Sequence, residues 1–189
     1  MKITETKVTK IQITDIKGLD TTNVILEDFN HGQGKITIEC FGKAWTAYWN
    51  AMGKNNTIDK FFCDCDNNYL SEKLDPQLQP NIPSENKLQS HAHNYIIKLR
   101  KDNEITKEKA KKLIDIIKNH PLNMNDHDTL YEIYGKEWWC NLPQEPNPEY
   151  QYLGRIIDTV REALKKRILD NKNIEKENIE MVKELKTKE

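Results

Sequence analysis

Arginine is scarce: four of them, Arg100, Arg155, Arg161 and Arg167, stand among 29 Lys and Arg residues in a chain of 189. Arginine supplies most bidentate contacts to phosphate and to guanine, so a sequence-specific DNA reader is disfavoured. An excess of charge of either sign is also lacking, since 29 basic side chains face 30 acidic ones for a formal net charge of −1. No long-range field steers such a chain toward nucleic acid or an anionic membrane, and binding of either kind would need a local patch. No run of about 18 apolar residues occurs, as a membrane span would require. The first residues, MKITETKVTK, hold no apolar core of a secretion signal. The expectation is a cytoplasmic chain, neither exported by a standard signal nor membrane-spanning.

Cysteine is limited to Cys40, Cys63, Cys65 and Cys140. Without a signal peptide these read as free thiols and not as a disulfide framework. Phosphate-cradling Gly-rich motifs, a nucleophile elbow, H-E-x-x-H and the kinase set are all missing. Cys63-Asp64-Cys65-Asp66 offers thiolate and carboxylate ligands. Structural zinc sites, however, use two pairs at wider spacing, and this pair would need Cys40, Cys140 or a histidine brought from far away. Packing beside Phe61 and Phe62 accounts for these cysteines without a metal. His91 and His93 lie two apart, roughly 200° around a helix, which prevents shared ligation. His31, in His31-Gly32-Gln33-Gly34, could act as a base, but a hairpin turn accounts for that motif. A nucleophilic role for Cys140 would need His120 or His127 beside it, and nothing in the sequence arranges that. No metal and no cofactor is expected, and a noncatalytic protein is favoured over an enzyme.

What is present folds. Hydrophobic residues make up 37% of the chain, and they recur periodically despite a mean hydropathy of −0.83. Residues 6–16 are β-branched and alternate at Ile11 and Ile13, with a turn at Lys17-Gly18-Leu19-Asp20. Asn23–Phe29 and Lys35–Phe41 alternate around the Gly-rich connection as an antiparallel hairpin. Lys43–Trp49 puts Trp45, Ala47 and Trp49 on one side and Ala44, Thr46 and Tyr48 on the other; it reads either as a fourth strand or as the first turns of a helix reaching Met52. Thr57 is placed to cap a short helix through Ile58, Phe61 and Phe62, and Tyr69–Leu74 adds another turn or two.

Helical periodicity begins at Ser84, through Leu88, Tyr95, Ile96 and Leu99, and again at Ala110, Leu113, Ile114 and Ile117, so the two helices form an antiparallel pair. Asp126 or Asp128 caps a short helix that Gly135 stops. Asn147-Pro148 starts the clearest helix, with Leu153, Ile156, Ile157, Val160, Leu164 and Ile168 as its stripe. The fold class is therefore α+β: an N-terminal antiparallel sheet of three to four strands packed with a C-terminal set of helices. Residues 1–75 read as the strand-rich part of a single domain, 76–85 as a proline-containing linker, 86–170 as the helical part, and 171–189 as a polar tail of marginal helical character.

The aromatic clusters are the most distinctive feature: Trp45, Tyr48 and Trp49 in one segment, Tyr131, Tyr134, Trp138 and Trp139 in another. Filling the core is the plainer use of such side chains, but Trp and Tyr also anchor interfaces and stack on single-stranded bases. The stretches GQGKITIECFGKAWTAYWNAMG (32–53), FFCDCDNNYL (61–70) and EWWCNLPQEPNPEYQYLGRI (137–156) resemble a family of small proteins carried by bacteriophages and prophages. That resemblance implies a setting in which accessory proteins bind and inhibit a host defence or replication component, or assist phage DNA metabolism. The expected partner is a host or phage protein, met through exposed members of Trp45, Tyr48, Trp49, Trp138 and Trp139 and through Arg155 and Arg161 on the 148–169 helix. The alternative is a single-stranded or structured nucleic acid on Trp45, Tyr48 and Trp49, with Lys35, Lys43 and Lys54 nearby.

Overall fold

A computed structural model of the chain describes residues 1–30, 32–54 and 56–186, excepting the side chains of residue 30 and of residues 180–186. His31 lies outside the described residues. The chain divides into two compact units that do not follow sequence order: Met1–Gln79 with Pro148–Glu189, and Pro80–Asn147.

In the first unit the alternating segments become β1 (Thr9–Ile13), β2 (Thr22–Asn30), β3 (Gln33–Cys40) and β4 (Lys43–Trp49). They form an antiparallel meander of four strands in the order β1-β2-β3-β4. Residues 43–49 are thus strand, and the reason is register: Val24, Ile38 and Trp45 align across β2, β3 and β4, as do Leu26, Ile36 and Ala47. Every side chain in those two rows is buried. A helix at 43–52 would scatter Trp45, Ala47 and Trp49 around its axis, whereas the two-residue period keeps them on one face. Gly34 is required by close approach, since a Cβ there would lie 3.0 Å from Ile58 Cβ and 3.1 Å from the Glu27 carbonyl oxygen.

Covering this face are α1 (Ile58–Asp64), α2 (Asn67–Leu74) and the first half of α6 (Pro148–Lys186). They contribute Ile58, Phe62, Leu70, Leu74 and the α6 stripe Leu153, Ile156, Ile157, Val160 and Leu164, all buried. Beyond Ile168 the same helix continues through the expected tail, with Leu169, Ile174 and Ile179 exposed.

The cap of α1 differs from the expectation. Thr57 makes no side-chain bond to the helix N-terminus; its hydroxyl donates to Asp59 instead. The Ile58 N–H donates at 2.8 Å to Asp28 Oδ1, a carboxylate from the sheet 30 residues earlier. Asp28 both satisfies an orphan donor and places negative charge at the positive end of the helix. Asp28→Ala is expected to destabilise the fold by about 1–2 kcal/mol, the usual cost of a lost cap. Thr57→Ala should cost far less, and equal losses for both in urea titrations would refute this assignment.

The second unit packs α3 (Glu85–Lys101), α4 (Lys107–Asn119) and α5 (His127–Tyr134) around Leu88, Ala92, Ile96, Leu113, Ile117, Leu130 and Ile133. Asp126 precedes α5, but its carboxylate accepts from the Asn123 N–H within the loop and not from the helix. Gly135 ends α5 at φ 84°, a left-handed conformation natural to glycine. Residues 76–85 include β5 (Asn81–Pro83), which pairs antiparallel with β6 (Gln144–Pro146). Flanking that ladder, the Asn147 N–H donates to the Pro80 carbonyl at 2.9 Å and the Ser84 N–H to the Pro143 carbonyl at 2.8 Å. The first and last residues of the unit are therefore tied together.

Candidate protein-binding surface

Strand alternation decides which of the first aromatic cluster can be reached. Trp45 and Trp49 face the core at 4% and 5% exposure, while Tyr48 between them is 53% exposed. Two of the three rings proposed for a stacking platform are consequently internal: Trp49 packs edge-on against Phe61 at 5.5 Å and donates from Nε1 to Tyr69 Oη at 2.8 Å. On the open face Tyr48 meets Phe29, with ring centroids 6.0 Å apart. Nothing in the sequence pairs Phe29 with Tyr48; the registers of β2 against β3 and of β3 against β4 bring the two rings together. The rest of that face is a polar ladder, including the Lys35–Glu27 ion pair and the Thr37–Thr46 hydroxyl bond of 3.1 Å. Lys43 pairs with Asp75 at 3.5 Å and lies over the Trp45 ring. Two of the three lysines placed near the proposed platform are thus each paired with a carboxylate, and Lys43 stands on the core-side row of β4 with Trp45 and not on the open face.

The second cluster behaves differently. Trp139 and Tyr131 are 55% and 56% exposed, and Trp138 is half-buried against the α3–α5 core. Trp138 meets Trp139 edge-on at 5.9 Å, and the His127 ring lies 5.3 Å from Trp138. The geometry comes from a single turn of 3-10 helix, Trp138–Asn141, packed against α5. His127 and Tyr131 share a face of α5 because they are four residues apart. The ring contact of His127 is with Trp138, a pairing that the sequence does not signal. Tyr134 belongs to the interior, buried with its hydroxyl 2.9 Å from His91 Nδ1 and its ring 4.9 Å from Tyr95. Burial, with Tyr95 adding to it, pushes the Tyr134 pKa up to about 12.

The two arginines proposed as contacts also divide. Arg155 is exposed and lies over the Tyr152 ring at 5.4 Å. Arg161 is not a surface contact: its guanidinium donates to the Cys65 carbonyl at 2.7 Å and to Asp158 Oδ1 at 2.9 Å. The bond to Cys65 ties α6 to the junction of α1 and α2, while the bond to Asp158 lies within α6.

Among the described residues no group of three or more His, Cys, Asp and Glu side chains is placed to hold a metal ion. All four cysteines are free thiols. Burial raises the pKa values of Cys63 and Cys65 above the ordinary thiol range, which keeps them protonated at neutral pH. A surface cavity at the end of α4 includes His120, Leu122, Asp126 and Thr129, but the Asp126 carboxylate is occupied by the Asn123 N–H. Among the described residues no helix is long and apolar enough to cross a membrane.

No curated protein and no solved structure matches the chain. A family model described as a phage family matches residues 1–166, which takes in the sheet, all of the second unit and the packed half of α6. The chain belongs to this phage protein family.

Proposed function

We propose that this is a noncatalytic phage accessory protein that binds a host or phage protein through the aromatic surface of its second unit. The observation that carries the reading is the pair of exposed rings, Trp139 and Tyr131, beside a half-buried Trp138. Large rings left in water cost solvation free energy that a partner recovers on binding, and Trp and Tyr dominate interface hot spots for that reason. The exposed charges of Asp128, Glu132, Lys136 and Glu137 border them in sequence, a composition suited to an apolar centre with a polar rim. Action in the host cytoplasm on a defence or replication component is the finer form of the proposal, in keeping with the phage family.

Tagged wild type and the Tyr131→Ala/Trp139→Ala variant, each incubated with nuclease-treated host lysate, provide the test. The expected result is one protein retained stoichiometrically by the wild type and lost by the variant, while both keep the same circular dichroism. A truncated hot-spot ring typically costs at least about 2 kcal/mol, or roughly 30-fold in affinity. Identical captures by the two proteins would overturn the proposal. Binding to single-stranded DNA that falls steeply with salt and disappears in Tyr48→Ala would replace it with the nucleic-acid reading.

A further inference from the structure

A two-residue turn joins β3 to β4, with Cys40 and Lys43 paired across it and Phe41 and Gly42 at its tip. Both tip residues have positive φ, 49° at Phe41 and 72° at Gly42. That is the mark of a type I′ turn, which favours Asn, Asp or Gly at these positions. Gly42 meets the demand, whereas Phe41 does not. Asp15 and Asn103, the other non-glycine residues with positive φ among those described, are of the types that tolerate it. The Phe41 side chain is also 81% exposed. A single apolar side chain in water is unexceptional. Here, however, it occupies a backbone conformation that an aromatic residue resists, without being buried there, and Asn would suit the turn better. Unused strain of this kind gathers at functional sites.

The surroundings define what the ring meets. The row Ile13, Thr22, Cys40 and Lys43 closes the sheet at this end, so the 14–21 connection lies beside the Phe41 turn. Behind the tip the Cys40 thiol is 3.4 Å from Tyr152 Oη and 3.7 Å from the Asp20 carbonyl oxygen. The exposed Arg155 guanidinium covers the Tyr152 ring and forms no ion pair among the described residues. We infer that Phe41 and Arg155 make a second contact surface, on the first unit, for a folded protein that offers an apolar pocket to the phenyl ring and a carboxylate at the rim to the guanidinium. The paired strands on both sides of the tip already order the ring, which lowers the entropy lost on insertion. An arginine fork without an anionic partner matches a carboxylate in shape and charge. Nucleic acid and anionic lipid fit less well. At this end Asp15, Asp20, Glu39 and Asp75 outnumber Lys17, Lys43 and Arg155, and Lys43 is held by Asp75. The surface goes beyond that of Trp139 and Tyr131, and neither depends on the other.

Urea unfolding of the purified whole chain gives the first test. Phe41→Asn, which suits the turn and removes the exposed ring, should raise the midpoint above that of wild type. An unchanged or lowered midpoint means that the fold itself uses the ring, and overturns the inference. For the second test, a benzophenone amino acid at position 41 is irradiated in nuclease-treated host lysate. It should cross-link one protein, at apolar residues with an Asp or Glu beside them. Unlabelled wild type should suppress the cross-link, and Phe41→Asn and Arg155→Glu competitors should each need roughly tenfold more protein to do so. Absence of the cross-link, or competitors equal to wild type, overturns the inference. So does salt-sensitive binding of single-stranded DNA or of phosphatidylserine vesicles that Phe41→Asn abolishes. A Tyr131→Ala/Trp139→Ala competitor that fails while Phe41→Asn and Arg155→Glu compete fully would also overturn it, and would leave the surface of the second unit standing.

Discussion

Trp49→Ala is expected to lower the stability of the sheet unit by about 3–5 kcal/mol, the range for deleting a buried large aromatic side chain. Three losses combine at this position. The indole, 5% exposed, fills space under α1 and α2, and a cavity there cannot collapse easily because the sheet fixes its floor. Its edge-on contact with Phe61 at 5.5 Å disappears. Tyr69 Oη also loses the indole N–H that donates to it at 2.8 Å. Trp49→Phe separates these contributions, retaining most of the volume while removing the hydrogen bond, and should cost about 1–2 kcal/mol. The neighbouring Tyr48→Ala, on the open face, should cost below about 1 kcal/mol, since it removes only a tilted contact with Phe29. Urea unfolding followed by circular dichroism measures all three. A Trp49→Ala loss no larger than that of Tyr48→Ala would mean that the strand presents the opposite face to the core.

That contrast between adjacent residues marks how far the sequence could be read. The alternation Trp45-Ala47-Trp49 against Ala44-Thr46-Tyr48 was visible, and so were the β2–β3 hairpin, the α3–α4 pair and the apolar stripe of α6. What alternation could not supply was the choice between strand and helix at 43–52, because a run of seven residues is too short for period alone to decide; pairing with β3 along its whole length decides it. Nor could it tell which side of β4 was the core. The partner of the α1 N-terminus was hidden for another reason: Thr57 has the right residue type at the right place, but Asp28, brought alongside by the β2 strand, occupies the bond. The division of the chain was hidden too. Three prolines at 76, 80 and 83 suggested a passive connection, yet Asn81–Pro83 pairs with residues more than 60 positions later. Local sequence carries no trace of such a non-local ladder. On the candidate surface, Trp138 and Trp139 were legible as a cluster. Their division into an anchor and an exposed ring comes from the 3-10 turn, and the addition of His127 comes from the packing of that turn on α5.

Arg161→Ala should destabilise the fold by about 1.5–3 kcal/mol, the scale of a hydrogen bond to a charged group, here made to a half-buried carbonyl. In the sequence Arg155 and Arg161 are equivalent, two basic residues on polar positions of one amphipathic helix. In the structure Arg161 is drawn inward to the C-terminal end of α1. There the Cys65 carbonyl, at the negative end of that helix, accepts from the guanidinium at 2.7 Å. Asp158 holds the same guanidinium from the other side and also accepts from Asn67 Nδ2 at 2.9 Å, so one carboxylate orients both α2 and the arginine. The side chain of Arg161 is 16% exposed, against 57% for Asp158, and the bond to Cys65 is therefore less screened by water than a surface ion pair. Lysine should be a poor substitute, because a single ammonium cannot reproduce the planar fork that reaches a carbonyl and a carboxylate together. Arg161→Lys is accordingly expected to recover less than half of the loss. Arg155→Ala, which removes an exposed cation from above the half-buried Tyr152 ring, should stay within about 1 kcal/mol of wild type. If urea titration gave equal midpoints for Arg155→Ala and Arg161→Ala, the arginine would not be tying α6 to the α1–α2 junction. If both fold normally and only Arg161→Ala failed to capture a partner, it would belong to the binding surface after all.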